Sequence, residues 1–136
     1  MPKTIFVSFP VNDVQRSAAF YKALGFEENP QFSGDSGACL MWGDAVHVML
    51  MTHAKWRALT DRPLPAPGSV GMMLSLALDS REAVDAMNAA AAAHGGQADA
   101  NPAEDHGFMY SRDIADPDGH LWGPFWMNPA ATGEPQ

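Results

Sequence analysis

The chain is poor in the residues that would take a protein to nucleic acid, to a membrane or to an oxidising compartment. It has 8 Lys and Arg against 16 Asp and Glu, a formal net charge of −8, whereas nucleic-acid binders need clustered positive charge. Cys39 is the only cysteine, so no disulfide can form within the chain, and we expect a reducing compartment. No stretch of about 18 apolar residues occurs, and no long apolar segment follows Met1. We therefore expect a cytoplasmic protein with no nucleic-acid or membrane partner.

The length and the apolar content suffice for one domain. At 136 residues, a single domain over 1–136 should bury roughly two thirds of its unfolded surface without disulfides. Apolar residues make up 46% of the chain, and 9 Met and 4 Trp are among them. Flexible Met side chains often line adaptable pockets, although any one Met can equally fill a gap in the core.

The clearest local signal is the run Asp-Pro-Asp-Gly at 116–119. Pro117 presets φ for the second position of a type I turn, and Gly119 tolerates a positive φ. Apolar and aromatic stretches flank the run on both sides, over 107–115 and 120–127. These features predict a β-hairpin made of two core strands.

A strand, a helix and three further strands are predicted before this hairpin. The apolar stretch 5–11 predicts the first strand, and Asp13 can cap the helix that follows it. Apolar residues recur at helical spacing between Val14 and Leu24, and Gly25 is suited to end the helix. The three further strands are predicted over 26–32, 38–42 and 46–52.

The second half of the chain repeats the βαβββ pattern. A strand is predicted over 71–78, and Asp79 and Ser80 can cap an Ala-rich helix over 81–94. A short strand over 97–100, a loop over 101–105 and the hairpin complete the pattern. The predicted organisation is module one at about 4–53, a linker at 54–69, module two at about 70–129 and a tail at 130–136.

Two separated motifs resemble the vicinal oxygen chelate superfamily, which includes glyoxalase I, the bleomycin and fosfomycin resistance proteins and the extradiol dioxygenases. The first motif runs from Pro10 to Phe26 and includes Asp13, and the second is Asp-Pro-Asp-Gly-His at 116–120. The resemblance covers 5–129. It implies an α+β fold in which two βαβββ modules form a curled cup of mixed sheets with the helices outside, and it implies a homodimer.

The resemblance also implies four metal-ligand positions, on the first and last strand of each module. Counted from the motifs, they fall on Phe6, Leu50, Met73 and Gly123, where His, Gln or Glu would be expected. None of the four supplies the imidazole nitrogen or carboxylate oxygen that such metals need. A shift of one residue offers only Val7, Met49, Met51, Met72, Leu74, Trp122 and Pro124. We therefore predict no metal and no other cofactor.

Side-chain alternation from those positions predicts an apolar cup lining with two hydroxyls. The residues expected to bind a ligand are Phe6, Ser8, Val48, Leu50, Met73, Ser75, Leu121, Gly123 and Phe125. Val46 and Met127 are expected on the same face, whereas His47, Met49 and Trp122 are expected to point outward. A lone His on a strand is more often structural than catalytic.

Polar residues gather on the strand before the turn, where 105–112 also resembles glyoxalase-like and dioxygenase-like members of the superfamily. His106 could act as a base, Tyr110 as a proton donor and Arg112 as a bidentate anchor for a carboxylate or phosphate. Alternatively, Arg112 could bridge to a surface carboxylate. A displaced metal site has no supporting spacing, although it could draw on His47, His53, Asp105, His106 and His120.

The register of the hairpin decides which of these side chains enter the cup. Pairing of Ala115 with His120 would place Arg112 there. A bulge at Gly119 would shift the pairing by one residue and turn the opposite set of side chains inward. The residues that would then enter the cup are Ser111 and Asp113.

Three functional hypotheses follow from the sequence. In the first, a small, partly apolar organic molecule binds in the cup without a metal, as the resemblance to bleomycin resistance proteins implies. In the second, the chain is an enzyme: a glyoxalase-type lyase or extradiol-dioxygenase-like protein with displaced metal ligands, or a metal-free acid–base catalyst. In the third, the cup is filled by its own Phe and Met side chains.

Overall fold

A computed structural model describes residues 3–132 of the chain. They form a mixed α+β fold with two sheets and three α-helices among the described residues. The chain divides into two compact units between Ser69 and Val70, and each unit contains one sheet.

The first unit follows the predicted βαβββ order. Its sheet order is β1-β4-β3-β2, with β1 parallel to β4 and the other neighbours antiparallel. A second helix, α2, follows the sheet within the predicted linker. The elements are β1 Ile5–Pro10, α1 Val14–Leu24, β2 Glu27–Asn29, β3 Gly37–Trp42, β4 Val46–Met51 and α2 His53–Leu59.

Local capping sets both ends of α1, as predicted. The Asp13 carboxylate accepts a hydrogen bond from the Arg16 backbone N–H at 3.1 Å, which satisfies one of the free donors at the helix start. Gly25 ends the helix with φ 113°, a conformation that other residues rarely adopt. The predicted apolar stripe is buried; its members are Val14, Ala18, Phe20, Tyr21 and Leu24.

The second unit also follows the βαβββ order, with its third strand split in two. Its sheet has the order β5-β9-β7-β6, and β8 also pairs with β9. β5 is parallel to β9 and the other pairs are antiparallel. The elements are β5 Met73–Ala77, α3 Arg81–Ala93, β6 Glu104–Asp105, β7 Met109–Ser111, β8 Ile114–Ala115 and β9 Leu121–Met127.

Two predicted strands are wrong in extent or place. The strand predicted over 26–32 ends at Asn29 and continues as a 3-10 turn. The strand predicted over 97–100 is reduced to one bridge, between Gln97 and Ala115. The cause lies at Asp99, which has φ 47° and donates its backbone N–H to the side chain of Asn88 on α3 at 2.9 Å. A left-handed residue interrupts a strand. Beyond it the Ala100 N–H still binds the Asp113 carbonyl oxygen, but regular strand structure resumes only at β6.

The turn at 116–119 forms as predicted and contains a bulge. Asp116 and His120 still pair, with the Asp116 N–H 2.9 Å from the His120 carbonyl oxygen, so the connecting loop has three residues. Gly119 has φ 93°, as in a three-residue hairpin loop that ends in a glycine bulge. The Asp116 carboxylate accepts the N–H groups of Asp118 at 2.9 Å and His120 at 2.8 Å.

None of the helices within residues 3–132 combines the length and apolar character that crossing a bilayer requires.

Candidate functional site

Helix α3 divides the second sheet into two unlike faces. The helix-facing side includes Leu76, Ile114 and Trp122, which are all buried, and packs on an apolar stripe of α3. The opposite side, here called the open face of the second sheet, carries side chains that are mostly part-exposed or exposed. From the strand registers, the open face consists of Met73, Ser75, Ala77, Met109, Ser111, Asp113, Ala115, Leu121, Gly123, Phe125 and Met127.

Three side chains of the open face converge on Gly123. A Cβ at this position would lie 3.1 Å from Asp113 Oδ1, 3.4 Å from Ser75 Oγ and 3.7 Å from Met73 Cε. A carboxylate, a hydroxyl and a thioether methyl therefore share a space of a few ångströms. All the second-unit residues predicted to bind a ligand lie on this face: Met73, Ser75, Leu121, Gly123 and Phe125.

The carboxylate of Asp113 is held in place from one side. Its Oδ2 accepts a hydrogen bond from Asn101 Nδ2 at 2.9 Å, and its backbone carbonyl accepts the Ala100 N–H at 2.8 Å. Oδ1, which points toward Gly123, has no hydrogen-bond partner in the described part of the chain. The candidate ligand-binding set did not include Asp113 or Asn101.

The alternative register, with its bulge at Gly119, is the one that forms. Ala115 pairs with Leu121, so the pairing of Ala115 with His120 is wrong. Continued along the hairpin, this register brings Asp113 opposite Gly123 and turns Arg112 to the other face. The glycine with positive φ that closes a three-residue loop was the available sequence signal.

Arg112 and Tyr110 lie on the helix-facing side, where they bind carboxylates. Arg112 contacts Asp99 through two nitrogens, at 3.0 and 2.7 Å, and Asp85 of α3 at 2.9 Å. Tyr110 also donates its hydroxyl to Asp85. The Arg112 guanidinium therefore bridges to carboxylates, which was the alternative to its predicted role as a ligand anchor. Its partners are Asp85 and Asp99.

These contacts shift the ionisation of every member of the network. Hydrogen bonds from Tyr110 and Arg112 lower the pKa of Asp85, and the hydrogen bond from Arg112 lowers that of Asp99. The bond to Asp85 raises the pKa of Tyr110, which makes the phenol a weaker proton donor. The two carboxylates raise the pKa of Arg112. All four groups are thereby stabilised in their ordinary charge states.

A second arginine clamps the end of α3 to the strands. Arg81 binds both carboxylate oxygens of Asp105 at 2.9 Å each and the Gly107 carbonyl at 2.9 Å, and it lies over the rings of Tyr110 and Trp126 at 5.0 and 5.2 Å. The hydrogen bonds that the Asp105 carboxylate accepts from the Arg81 side chain and from the Gly107 backbone N–H lower its pKa to about 2.

His106, predicted as a base, lies apart from the Tyr110 and Arg112 network. Its Nε2 is 3.4 Å from Glu104 Oε2, and both side chains are more than half exposed. The three predicted catalytic residues are therefore not brought together at one point of the second unit.

The first sheet presents a different set of side chains from the one predicted. Phe6 pairs with His47 and Ser8 pairs with Met49, so these four side chains share one face. Trp42 lies on the opposite side, because its ring contacts Phe26 at 4.9 Å between centroids and Phe26 contacts the Tyr21 ring of α1 at 5.3 Å.

The predicted cup positions Val46, Val48 and Leu50 are therefore wrong. Trp42 pairs with Val46, which puts all three on the helix-facing side, and Val48 and Leu50 are fully buried there. The prediction that His47 and Met49 point away from Phe6 is wrong for the same reason. The face opposite α1 is here called the open face of the first sheet; its members are Phe6, Ser8, Cys39, Met41, His47 and Met49.

His47 is stacked and hydrogen-bonded on this open face. Its ring lies 4.5 Å from the Phe6 ring with an angle of 14° between the planes. Nε2 is 3.2 Å from the Asp44 carbonyl oxygen, which can only accept a hydrogen bond, so Nε2 is the donor of this pair. Nδ1 lies 3.8 Å from Cys39 Sγ. Burial raises the pKa of the Cys39 thiol, which keeps its proton available for this contact. Both ring nitrogens are thus engaged.

The comparisons with known proteins agree with this architecture. The family model of the Glyoxalase/Bleomycin resistance protein/Dioxygenase superfamily matches residues 5–123, which is most of the chain. The protein belongs to this superfamily.

Solved structures of other proteins share the fold. A hypothetical protein from S. aureus is 27% identical with a TM-score of 0.77, over 93% of this chain and 95% of that one. A glyoxalase/bleomycin resistance protein/dioxygenase family enzyme from Burkholderia phytofirmans is 18% identical with a TM-score of 0.79, over 93% and 99%. A lactoylglutathione lyase from Agrobacterium tumefaciens is 21% identical with a TM-score of 0.63, over 92% and 94%. A comparison with curated proteins finds no match.

The residues of this superfamily member do not fit the metal that the superfamily implies. Phe6 and Leu50 lie on opposite faces of the first sheet, so the implied position on β4 moves to Met49 or Met51, which are again thioethers. In the second unit, Met73 and Gly123 occupy the implied positions. Within residues 3–132, no group of three His, Cys, Asp or Glu side chains could hold a metal ion.

Proposed function

We propose that this superfamily member binds a small, partly apolar organic molecule on the open face of its second sheet without the metal of its metal-dependent relatives. The observation that carries the proposal is the convergence of Asp113, Ser75 and Met73 on Gly123. Binding sites for organic molecules combine apolar walls with a few fixed polar groups, and this face offers both.

The exposure of the apolar residues supports the proposal. Met73, at the start of β5, is 46% exposed, and Leu121, which pairs with it, and Phe125, further along β9 on the same face, are part-exposed. Covering such area with an apolar ligand is favourable by about 25 cal/mol per Å². The hypothesis of a self-filled cup is less well supported, because these side chains leave accessible surface on the face that they would have to fill.

The polar groups support binding more than catalysis by the predicted residues. Tyr110 and Arg112 bind carboxylates on the helix-facing side, away from the open face. We also propose that the protein is a homodimer in the cytoplasm. Light scattering coupled to size-exclusion chromatography tests the dimer.

The test is a protein-observed NMR titration with benzyl alcohol, a neutral aromatic probe. We expect saturable amide shifts confined to β5 and β9. Native mass spectrometry of the purified protein and metal analysis accompany the titration. Stoichiometric Zn, Ni, Fe or Mn in the purified protein would contradict the metal-free part of the proposal.

Two adjacent methionines provide matched variants. Met73→Lys places a charge on the open face, whereas Met72→Lys changes the preceding residue, which is also exposed and lies before β5. We expect Met73→Lys to weaken benzyl alcohol binding about tenfold, since a charge opposes burial of the ring, and Met72→Lys to leave it unchanged. Equal effects of the two variants, or shifts spread over the whole chain, would refute the site.

A further inference from the structure

Within the part of the chain that the structure describes, Asp113 has no cationic partner, unlike the carboxylates on the helix-facing side of the same unit. Asp85 and Asp99 form salt bridges with Arg112, and Asp105 forms one with Arg81. The only side-chain partner of Asp113 in the described part of the chain is the neutral amide of Asn101.

The geometry of the unpaired oxygen leaves it available to a ligand. Asn101 occupies Oδ2, so Oδ1 keeps its hydrogen-bonding capacity and is oriented along the open face toward Gly123. The Ser75 hydroxyl lies next to the same point and can accept a hydrogen bond as well as donate one. Two oxygen acceptors thus flank one position, and Met73 adds an apolar wall.

We propose that this position selects ligands that carry an ammonium group on an apolar body, with Asp113 as the specificity-determining residue. The inference rests on the proposed function of the open face and names the class of ligand that it takes. The ammonium would donate hydrogen bonds to Asp113 Oδ1 and Ser75 Oγ, while its apolar body covers Met73 and Phe125. Hydrogen bonds between charged partners are about twice as strong as neutral ones.

Several alternatives for this carboxylate are less well supported. A divalent metal would need further ligands, and within residues 3–132 no cluster of three suitable side chains exists. An anionic ligand would be repelled by the charge of Asp113, and the two arginines of the second unit, Arg81 and Arg112, bind carboxylates on the helix-facing side. A purely structural role would not require the second carboxylate oxygen to remain unpaired.

The experiment compares three probes of one size and shape: benzylammonium, benzyl alcohol and benzoate. Dissociation constants are measured by NMR titration in about 150 mM NaCl, where the Debye length is about 8 Å. At this salt concentration the net negative charge of the protein contributes little to binding. On the unaltered protein we expect benzylammonium to bind about tenfold tighter than benzyl alcohol, and benzoate to bind most weakly.

Two isosteric variants identify the group responsible. Asp113→Asn keeps the shape and the amide contact but removes the charge, and should abolish the preference for benzylammonium. Asp35→Asn removes the same charge from an exposed turn of the first unit and should leave the preference intact. Ser75→Ala should reduce the preference about threefold, as expected for loss of one of the two acceptors.

The outcomes separate this inference from the proposed function. Absence of a preference in the unaltered protein, a preference that survives Asp113→Asn, or an equal loss in Asp35→Asn would overturn the inference. If benzyl alcohol still binds the open face in those cases, the proposed function stands. If neither benzyl alcohol nor benzylammonium binds the open face of the unaltered protein, the proposed function fails and the inference fails with it. If benzylammonium alone binds there, the proposed function stands, and its response to Asp113→Asn decides the inference.

Discussion

Asp113 and Gly123 are neighbours across the hairpin, and the carboxylate of Asp113 lies where a side chain at position 123 would need space, 3.1 Å from the would-be Cβ. The superfamily resemblance places a metal ligand at 123. In this chain a carboxylate reaches the same region from the adjacent strand, while position 123 has no side chain.

The close approach predicts a cost for Gly123→Ala. The new methyl group must displace the Asp113 carboxylate by a few tenths of an ångström against its bond to Asn101, so we expect about 1 kcal/mol of destabilisation in urea unfolding, at the lower end for overpacking. Gly71→Ala is the control, because a Cβ there meets nothing within 4 Å. The double variant Asp113→Ala with Gly123→Ala should recover part of the loss; strict additivity would contradict the contact.

Arg112 should contribute to stability and leave ligand binding unaffected. Its side chain is 26% exposed, but its partners Asp85 and Asp99 are 50% and 41% exposed, so solvent screening limits the loss from Arg112→Met to about 1 kcal/mol. Raised salt should reduce this loss. Lys22→Met, which breaks an exposed pair with Glu28, should cost less. Loss of benzyl alcohol binding in Arg112→Met, with the fold intact, would instead support a direct role.

Acid should weaken the clamp between α3 and the strands. The pKa of Asp105 falls from 3.8 to about 2 on folding. A carboxyl group with a depressed folded-state pKa contributes stability that is present above its unfolded pKa and is lost as pH falls toward the folded value. The lowered pKa values of Asp85 and Asp99 act in the same direction.

Urea unfolding midpoints of the unaltered protein and Asp105→Asn, measured between pH 7 and pH 2, test this linkage. Asp105→Asn should be the less stable protein at pH 7, and the difference should shrink between about pH 4 and pH 2. Asp35→Asn provides the charge-matched control. A difference that is independent of pH would show that the ionised form of Asp105 is not what stabilises the clamp.

Cys39 should react with thiol reagents only when the chain opens. Its side chain is fully buried, and burial raises the pKa of the thiol, whereas the thiolate is the reactive form. We expect Ellman's reagent to modify the native protein slowly and the urea-unfolded protein at the rate of a free thiol. Rapid modification of the native protein would contradict the buried contact with His47.

Much of the fold could be predicted because its signals are local. Asp13 and Gly25 set the ends of α1 through bonds within a few residues, and the turn at 116–119 forms through Asp116 and its own neighbours. The strand predicted over 97–100 failed because its alternative partner, Asn88, lies on α3, and no short window of sequence contains both.

The candidate site depended on register, which local signals control less well. In the second sheet all five predicted ligand-binding positions share the open face, because the alternation of side chains was predicted correctly for β5 relative to β9. In the first sheet the predicted alternation of β4 was wrong by one residue relative to β1. As a result, His47 and Met49 share a face with Phe6 and Ser8, where Val48 and Leu50 were predicted. Side chains alternate with a period of two, so any odd error inverts the whole strand.

The sequence by itself determined the superfamily, the order of helices and strands, and the residue types at the metal-ligand positions that the resemblance implies, because each depends on residue type or on contacts within one turn. Only the tertiary structure decided which side of the hairpin faces α3. The bulge at Gly119 shifts the pairing by one residue, so Arg112 binds Asp85 and Asp99 beside the helix and Asp113 lies over Gly123. Which side chain faces which way depends on pairing between strands, and that pairing is settled by packing the whole sheet against its helix.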